Sequence, residues 1–337
     1  MNVLAEIAEQ PSVVERLVAA NRGRFPALAR AARDVSHVVV AARGTSDNAA
    51  RYAQYVWGAR NRLAVGLTTP SLFGIMAAPP RLTGALVVGI SQSGQSPDLV
   101  AVLTEARRQH RPTVAITNDP ASPLAGAADI VVDLAAGPER AVAATKTYTA
   151  ELAAVALTSL AFSGHDPAPV ADLVPILSSA VTDAARHAPA VAGLVDHHRS
   201  AVVARGFHYA TAHEWALKLQ ELAQVVAHPF SAADFLHGPL ALIDTGFPVL
   251  AVVTAGPTEA PMRDALTAAR DRGAHIVALT DVDHPPAETA IAIPAVEPWL
   301  SPIVAAPYLQ HFTHALALAR HLDPDRPRGL TKITRTR

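Results

Sequence analysis

A chain of 337 residues with 50% hydrophobic residues is long enough to bury a sizeable core and to hold two domains or one large one. Its 28 Lys and Arg against 29 Asp and Glu leave a formal net charge of −1, which excludes a basic footprint for nucleic acid and a polybasic membrane surface. It contains no Cys, which excludes disulfides, thiolate metal sites and a Cys nucleophile, and no apolar run approaches the ~18 residues of a membrane span.

Met1 to Gln10 lacks the basic start and apolar core of a secretory signal, so a cytoplasmic location is expected. Residues 1–34 read as helices, with Val13, Val14, Leu17 and Val18 on one apolar face. His37-Val38-Val39-Val40-Ala41-Ala42-Arg43-Gly44-Thr45-Ser46-Asp47 reads as a strand running into a Gly-containing turn, followed by a helix with Tyr52, Tyr55 and Val56. Leu63 to Leu67 is a short strand candidate. Ala85 to Ile90 is a Val- and Leu-rich strand that leads into Ser91-Gln92-Ser93-Gly94-Gln95-Ser96-Pro97-Asp98. Leu99, Val102, Leu103 and Ala106 then recur at helical spacing, with Pro97 in the first turn, where its missing N–H costs nothing. A strand–turn–helix of this kind aims backbone N–H groups and the positive helix end at one point, and three Ser hydroxyls add donors there. Gly94 is expected to leave room for a ligand. The pattern suits a phosphate dianion; an ordinary Ser/Gly turn capping a helix would read the same. Further strands are expected at Thr113 to Ile116 and Ile130 to Leu134, and a long apolar helix after Ala143-Ala144-Thr145-Lys146. Strands alternating with helices predict an α/β fold with parallel sheets covered on both faces.

The chain repeats itself. Val40-Ala41-Ala42-Arg43-Gly44 returns as Val202-Val203-Ala204-Arg205-Gly206. Val114-Ala115-Ile116-Thr117-Asn118 returns as Val277-Ala278-Leu279-Thr280-Asp281, in the same register to within one residue. Two copies of one α/β unit are therefore expected. The second copy has Thr254-Ala255-Gly256-Pro257-Thr258-Glu259 in place of the Ser-rich turn, so one phosphate site per chain is predicted, in the first copy. Its own chemistry differs: Glu214, Lys218 and Glu221 at i, i+4 and i+7 set carboxylate, ammonium and carboxylate on one helix face. A solvated face with a salt bridge has the same spacing, but Trp215, Leu217, Leu219 and Leu222 crowd the other faces. His237, followed by Gly238-Pro239, falls on a turn. The remaining His residues, among them His208, His213 and His228, show no metal-ligand spacing, and no metal or cofactor is expected.

Gly44-Thr45-Ser46, Ser91-Gln92-Ser93-Gly94-x-Ser96, Val142-Ala143-Ala144-Thr145-Lys146, Glu214-x-x-x-Lys218-x-x-Glu221, His237-Gly238-Pro239 and Leu330-x-Lys332 occur in order. Together they resemble the double sugar-isomerase (SIS) domain family, including the isomerase half of glucosamine-6-phosphate synthase and the stand-alone SIS-type deaminases. The resemblance implies two tandem SIS domains, each a flavodoxin-like three-layer sandwich: N-terminal helices at 1–34, a first domain at 35–165, a helical linker at 166–198, a second domain at 199–322 and a tail at 323–337 with Lys332. It also implies roles. Thr45, Ser46, Ser91, Gln92, Ser93 and Ser96 match residues that hold the sugar phosphate, and Val142, Ala144 and Thr145 line the substrate. Glu221 matches the base that moves a proton between C1 and C2, with Glu214 beside it on the same helix. His237 matches the ring-opening group, reaching in from the neighbouring subunit of a homodimer. Lys218 and Lys332 match lysines beside the open-chain sugar. Proton removal next to a carbonyl needs just such a carboxylate and nearby positive charge.

There are departures. This sequence has no counterpart of the synthase's glutaminase and no Cys, so ammonia from glutamine is not expected by that route. The Ser-Gly-Gln-Ser-Pro-Asp turn resembles the deaminase branch, while Leu236 stands where those relatives have a basic residue. The implied activity is conversion of a hexosamine 6-phosphate, namely glucosamine 6-phosphate, to fructose 6-phosphate and ammonia. The alternatives are β-elimination from an N-acetylated hexosamine 6-phosphate, deglycation of fructosamine 6-phosphate, and a non-catalytic sugar-phosphate sensor. No nucleic-acid or membrane partner is expected.

Overall fold

A computed structural model of the chain describes residues 2–332; the end of the expected tail, 333–337, lies outside the described residues. The chain forms two compact units, each built on one sheet. The first-sheet unit comprises residues 9–140 and 146–174 with Thr331 and Lys332. The second-sheet unit comprises residues 2–8, 141–145 and 175–330.

The first sheet contains β1 (His37–Ala41), β2 (Ala64–Leu67), β3 (Ala85–Ser91), β4 (Thr113–Thr117) and β5 (Ile130–Asp133), in the order β2-β1-β3-β4-β5. Every pairing is parallel. β3 is buried along its whole length, as a continuous apolar run covered on both faces requires. The helix Pro97–Arg108 buries Leu99, Val102, Leu103 and Ala106 against Val87 and Ala115, so the predicted spacing faces the core. Each Leu or Val sealed this way contributes up to about 1.5–3 kcal/mol. The helix Lys146–Phe162 is buried on nearly every face, consistent with its Ala-rich, all-round apolar sequence. It begins at Lys146, and the preceding residues 141–145 are irregular and group with the second-sheet unit.

The second sheet contains β6 (Arg199–Ala204), β7 (Val226–Ser231), β8 (Pro248–Val253), β9 (His275–Thr280) and β10 (Thr289–Ala292). Its order, β10-β9-β8-β6-β7, repeats the first sheet read from the other edge, again all parallel. The internal repeat in the sequence is thus a repeated topology. One core layer joins Trp215, Leu219 and Leu222 of the helix Tyr209–Ala223 to Leu309, Phe312 and Leu316 of the helix Ser301–Ala319. Trp215 and Phe312 meet edge to face at 5.2 Å. The other layer seats Met262, Ala265, Leu266 and Ala269 on β8 and β9. Of the stretch expected as a helical linker, the helix Leu173–His187 sends Ala180 and Ala184 into this core.

In each sheet the chain reverses its winding between the first and third strands, β1 and β3 or β6 and β8. Crevices at the carboxyl ends of such neighbouring strands are where open α/β sheets bind ligands. No helix among the described residues is long and apolar enough to cross a membrane.

Candidate functional site

In the first-sheet unit, β1 and β3 end beside each other, with Ala41 paired to Gly89. Gly44, at φ +55, turns the chain out of β1 into the helix Thr45–Asn61. Ser91 closes β3, and its Oγ accepts the Gly94 N–H at 3.1 Å. Ser93 Oγ accepts the Gln95 N–H at 3.3 Å. Both hydroxyls therefore keep a proton to donate. Ser96 is the N-cap of the helix Pro97–Arg108 but makes no side-chain cap bond. Gln92, Ser93 and Ser96 are partly exposed, so the turn can meet a ligand.

At three of the expected positions the protein itself supplies a partner or fills the space. Ser46 is buried and its hydroxyl proton goes to Glu151 Oε1 at 2.7 Å, so in this arrangement it is not offered to a phosphate. Gly94 does not leave space for a ligand: a Cβ there would lie 2.1 Å from Ser122 Oγ, and its φ of +60 also favours glycine. Protein packing already fills that space. Thr145 is buried, with its hydroxyl directed to Glu6 Oε2 at 3.5 Å and its carbonyl accepting Gln310 Nε2 at 3.1 Å. Glu6 also accepts the Ala141 N–H, so the N-terminal helix Asn2–Ala8 braces the segment. Only Val142 and Ala144 of that stretch remain partly exposed.

The second-sheet unit holds Glu214, Lys218, Glu221 and His237. Glu214 and Lys218 are buried, and Glu221 is partly exposed. Lys218 Nζ contacts Glu221 Oε2 and lies 3.6 Å from Glu214 Oε1. The alternative of a solvated helix face is thereby set aside. A buried ammonium between two carboxylates persists only because it is paired, and it leaves Glu221 as the member of the array that opens to solvent. His237 caps the short helix Ala232–Leu236, is exposed, and its ring has no hydrogen-bond partner among the described residues. Gly238, at φ +142, turns the chain away immediately after it.

Two features escaped the sequence reading. Glu139, fully buried at its carboxylate, accepts the Thr147 N–H and hydroxyl and pairs with Lys332 Nζ at 2.5 Å. The C-terminal lysine is thus anchored on the first-sheet unit, 193 residues along the chain from its partner. His208 bridges Thr211 Oγ1 at 3.1 Å and Ser301 Oγ at 3.0 Å, and burial pushes its pKa down to about 3. It is a neutral strut between the start of the Tyr209–Ala223 helix and the last helix. Neither residue lies in a local motif that could have announced it. Among the described residues no cluster of three or more His, Asp or Glu could hold a metal.

Comparison with known proteins identifies the family. The SIS domain model matches residues 33–161 and 193–319. The glutamine–fructose-6-phosphate aminotransferase (isomerizing) of Pyrococcus horikoshii is 32% identical over 341 residues, covering 98% of this chain and 57% of the relative. That of Streptococcus pneumoniae is 32% identical over 352 residues, covering 98% and 58%. The chain therefore spans less than two thirds of the length of these curated relatives. The C-terminal domain of the Francisella tularensis glucosamine-fructose-6-phosphate aminotransferase superposes with a TM-score of 0.87 at 25% identity, covering 97% of this chain and 98% of that one. A Thermotoga maritima glucosamine-6-phosphate deaminase shares the fold, with a TM-score of 0.82 at 17% identity over 100% of both chains. Two matched domains, two sheets of one topology and a likeness that runs over nearly the whole of this chain make it a member of the SIS domain family, carrying two copies of the domain.

Proposed function

We propose that the chain is a phosphosugar isomerase that deaminates a 2-amino-2-deoxyhexose 6-phosphate, converting glucosamine 6-phosphate to fructose 6-phosphate and ammonia. The observation that carries this reading is the buried Glu214–Lys218 pair that presents Glu221 at a partly open position. The hydroxyls of Ser91, Ser93 and Ser96 at the end of β3 supply the complementary requirement, donors for a dianionic phosphate.

In the proposed reaction His237 moves protons between the ring oxygen and O1, giving the open-chain aldehyde; an exposed imidazole, with one ring nitrogen to donate and one to accept, suits that task. Glu221 removes the C2 proton. The electron pair moves into a C1–C2 double bond, and the negative charge arriving on O1 calls for an ammonium group, for which Lys218 and Lys332 are the candidates. Glu221 then returns the proton to C1, while O1 gains a proton and the amine nitrogen gives one up, leaving a C1 hydroxyl and a ketimine at C2. Water adds to the ketimine carbon, and ammonia departs with the C2 ketone left behind. We further infer a homodimer in which His237 serves the neighbouring site. Exposed Leu236 and Leu242 flank it on the same loop, 42% and 55% open, an apolar rim that a second copy would cover.

The test is the reaction of glucosamine 6-phosphate in heavy water. Ammonia and fructose 6-phosphate carrying deuterium at C1 are expected, both lost in Glu221→Gln. No ammonia, together with an unsaturated sugar phosphate from the N-acetylated substrate, would overturn deamination in favour of elimination.

A further inference from the structure

The hydroxyls of the phosphate turn sit on separate pieces of chain, and the sheet does not hold those pieces together. Pairing of β1 with β3 stops at Ala41 and Gly89, so Thr45 on one side and Ser91 to Ser96 on the other lie beyond the last ladder bond. A side-chain bridge spans them instead. Arg43 Nε and Nη2 each lie 2.9 Å from Asp98 Oδ2. Arg43 immediately precedes Gly44-Thr45, and Asp98 is in the first turn of the helix that Ser96 caps. The Asp98 side chain is only 3% exposed, while that of Arg43 is 48% exposed.

Asp98 raises an electrostatic problem. A carboxylate in the first helical turn is favoured by the helix dipole, yet it puts a negative charge beside the turn meant for a dianion. The Arg43 guanidinium answers that charge with two nitrogens on one carboxylate oxygen. The second repeat is an internal control. Arg205 stands where Arg43 does, but the repeat register puts Pro261 at the position of Asp98. Arg205 has no ion pair among the described residues. The bridge is thus present only in the repeat with the Ser-rich turn.

We propose that Arg43 and Asp98 form a positioning clamp for the phosphate site: the pair fixes the β1 turn against the β3 turn and neutralises Asp98 beneath the bound anion. The proposal rests on the sugar-phosphate reading above. Its test is calorimetric binding of inorganic phosphate and of glucosamine 6-phosphate to the intact chain, with steady-state kinetics alongside. Arg43→Ala should raise Kd for both ligands, and KM, by about tenfold or more, while kcat changes by less than about twofold. Adding Asp98→Asn to Arg43→Ala should recover much of that affinity, because the repelling charge is gone, and Arg43→Lys should fall between. Wild-type Kd in Arg43→Ala, or a loss confined to kcat, overturns the clamp. So does a folded double variant, checked by circular dichroism, that regains nothing. Binding of 6-phosphates without ammonia release would overturn deamination and leave the clamp to be decided by the same Kd series.

Discussion

Lys332 Nζ lies 2.5 Å from Glu139 Oε2, and the Glu139 side chain is fully buried while that of Lys332 is 25% exposed. A carboxylate removed from water this completely depends on its charged partner. Lys332→Met should therefore cost about 1–3 kcal/mol of stability. Adding Glu139→Gln, which keeps acceptor capacity for Thr147 and removes the orphaned charge, should restore most of it. Urea unfolding of the two single variants and the double variant gives the coupling directly. Simple additivity would mean that the pair contributes nothing.

Phosphate affinity is assigned to hydroxyls that still have protons to give. Ser93→Ala with Ser96→Ala should weaken binding of the 6-phosphate sugar by about 1–3 kcal/mol, the range for hydrogen bonds to a charged partner. Ser46→Ala should change affinity less, since its proton is committed to Glu151. Calorimetric titration of the variants checks both statements, and equal losses at Ser46 and at Ser93 with Ser96 would contradict this division of labour.

The proposed exchange of His237 between subunits predicts complementation. Glu221→Gln and His237→Ala chains, each inactive alone, should regain activity on mixing, because one site of the heterodimer then has both groups. Subunit exchange is followed by mass spectrometry of differently tagged chains. Exchange without recovered activity would mean that each chain is catalytically self-contained.

Two histidines link stability to pH. Burial lowers the pKa of His208 to about 3, and burial with the neighbouring His314 lowers that of His311 to about 4. An unfolded histidine titrates near 6.5, so below that pH the unfolded chain binds protons that the folded chain refuses. Their contribution is complete above about pH 6.5 and is lost as pH falls toward 4, by about 1.4 kcal/mol per pH unit for each group. Urea midpoints between pH 7.5 and 4.5 should fall accordingly, and more shallowly in His208→Asn/His311→Asn. An unchanged slope in that variant would place the titration elsewhere.

The strand–turn–helix around Ser91 to Ser96 is legible in the amino-acid order because its signals are local. Apolar runs, a 3.6-residue spacing and a Ser/Gly/Pro turn each operate within a dozen residues. The repeat is legible for the same reason, and it foretells two sheets of one topology. The Glu214–Lys218–Glu221 spacing is legible too, but not its meaning: i, i+4 and i+7 describe a wet face and a buried one alike. Burial depends on what packs around the helix, whose Trp215, Leu219 and Leu222 meet Leu309, Phe312 and Leu316 from almost a hundred residues downstream. The same holds for Gly94, whose partner is Ser122, for Ser46, whose proton goes to Glu151, and for Arg43, which finds Asp98. The assignment of 141–145 to the second-sheet unit depends likewise on Glu6 and Gln310. Local periodicity chooses elements and turns; which polar groups become partners is decided only when the folded chain brings distant residues together and excludes water from them.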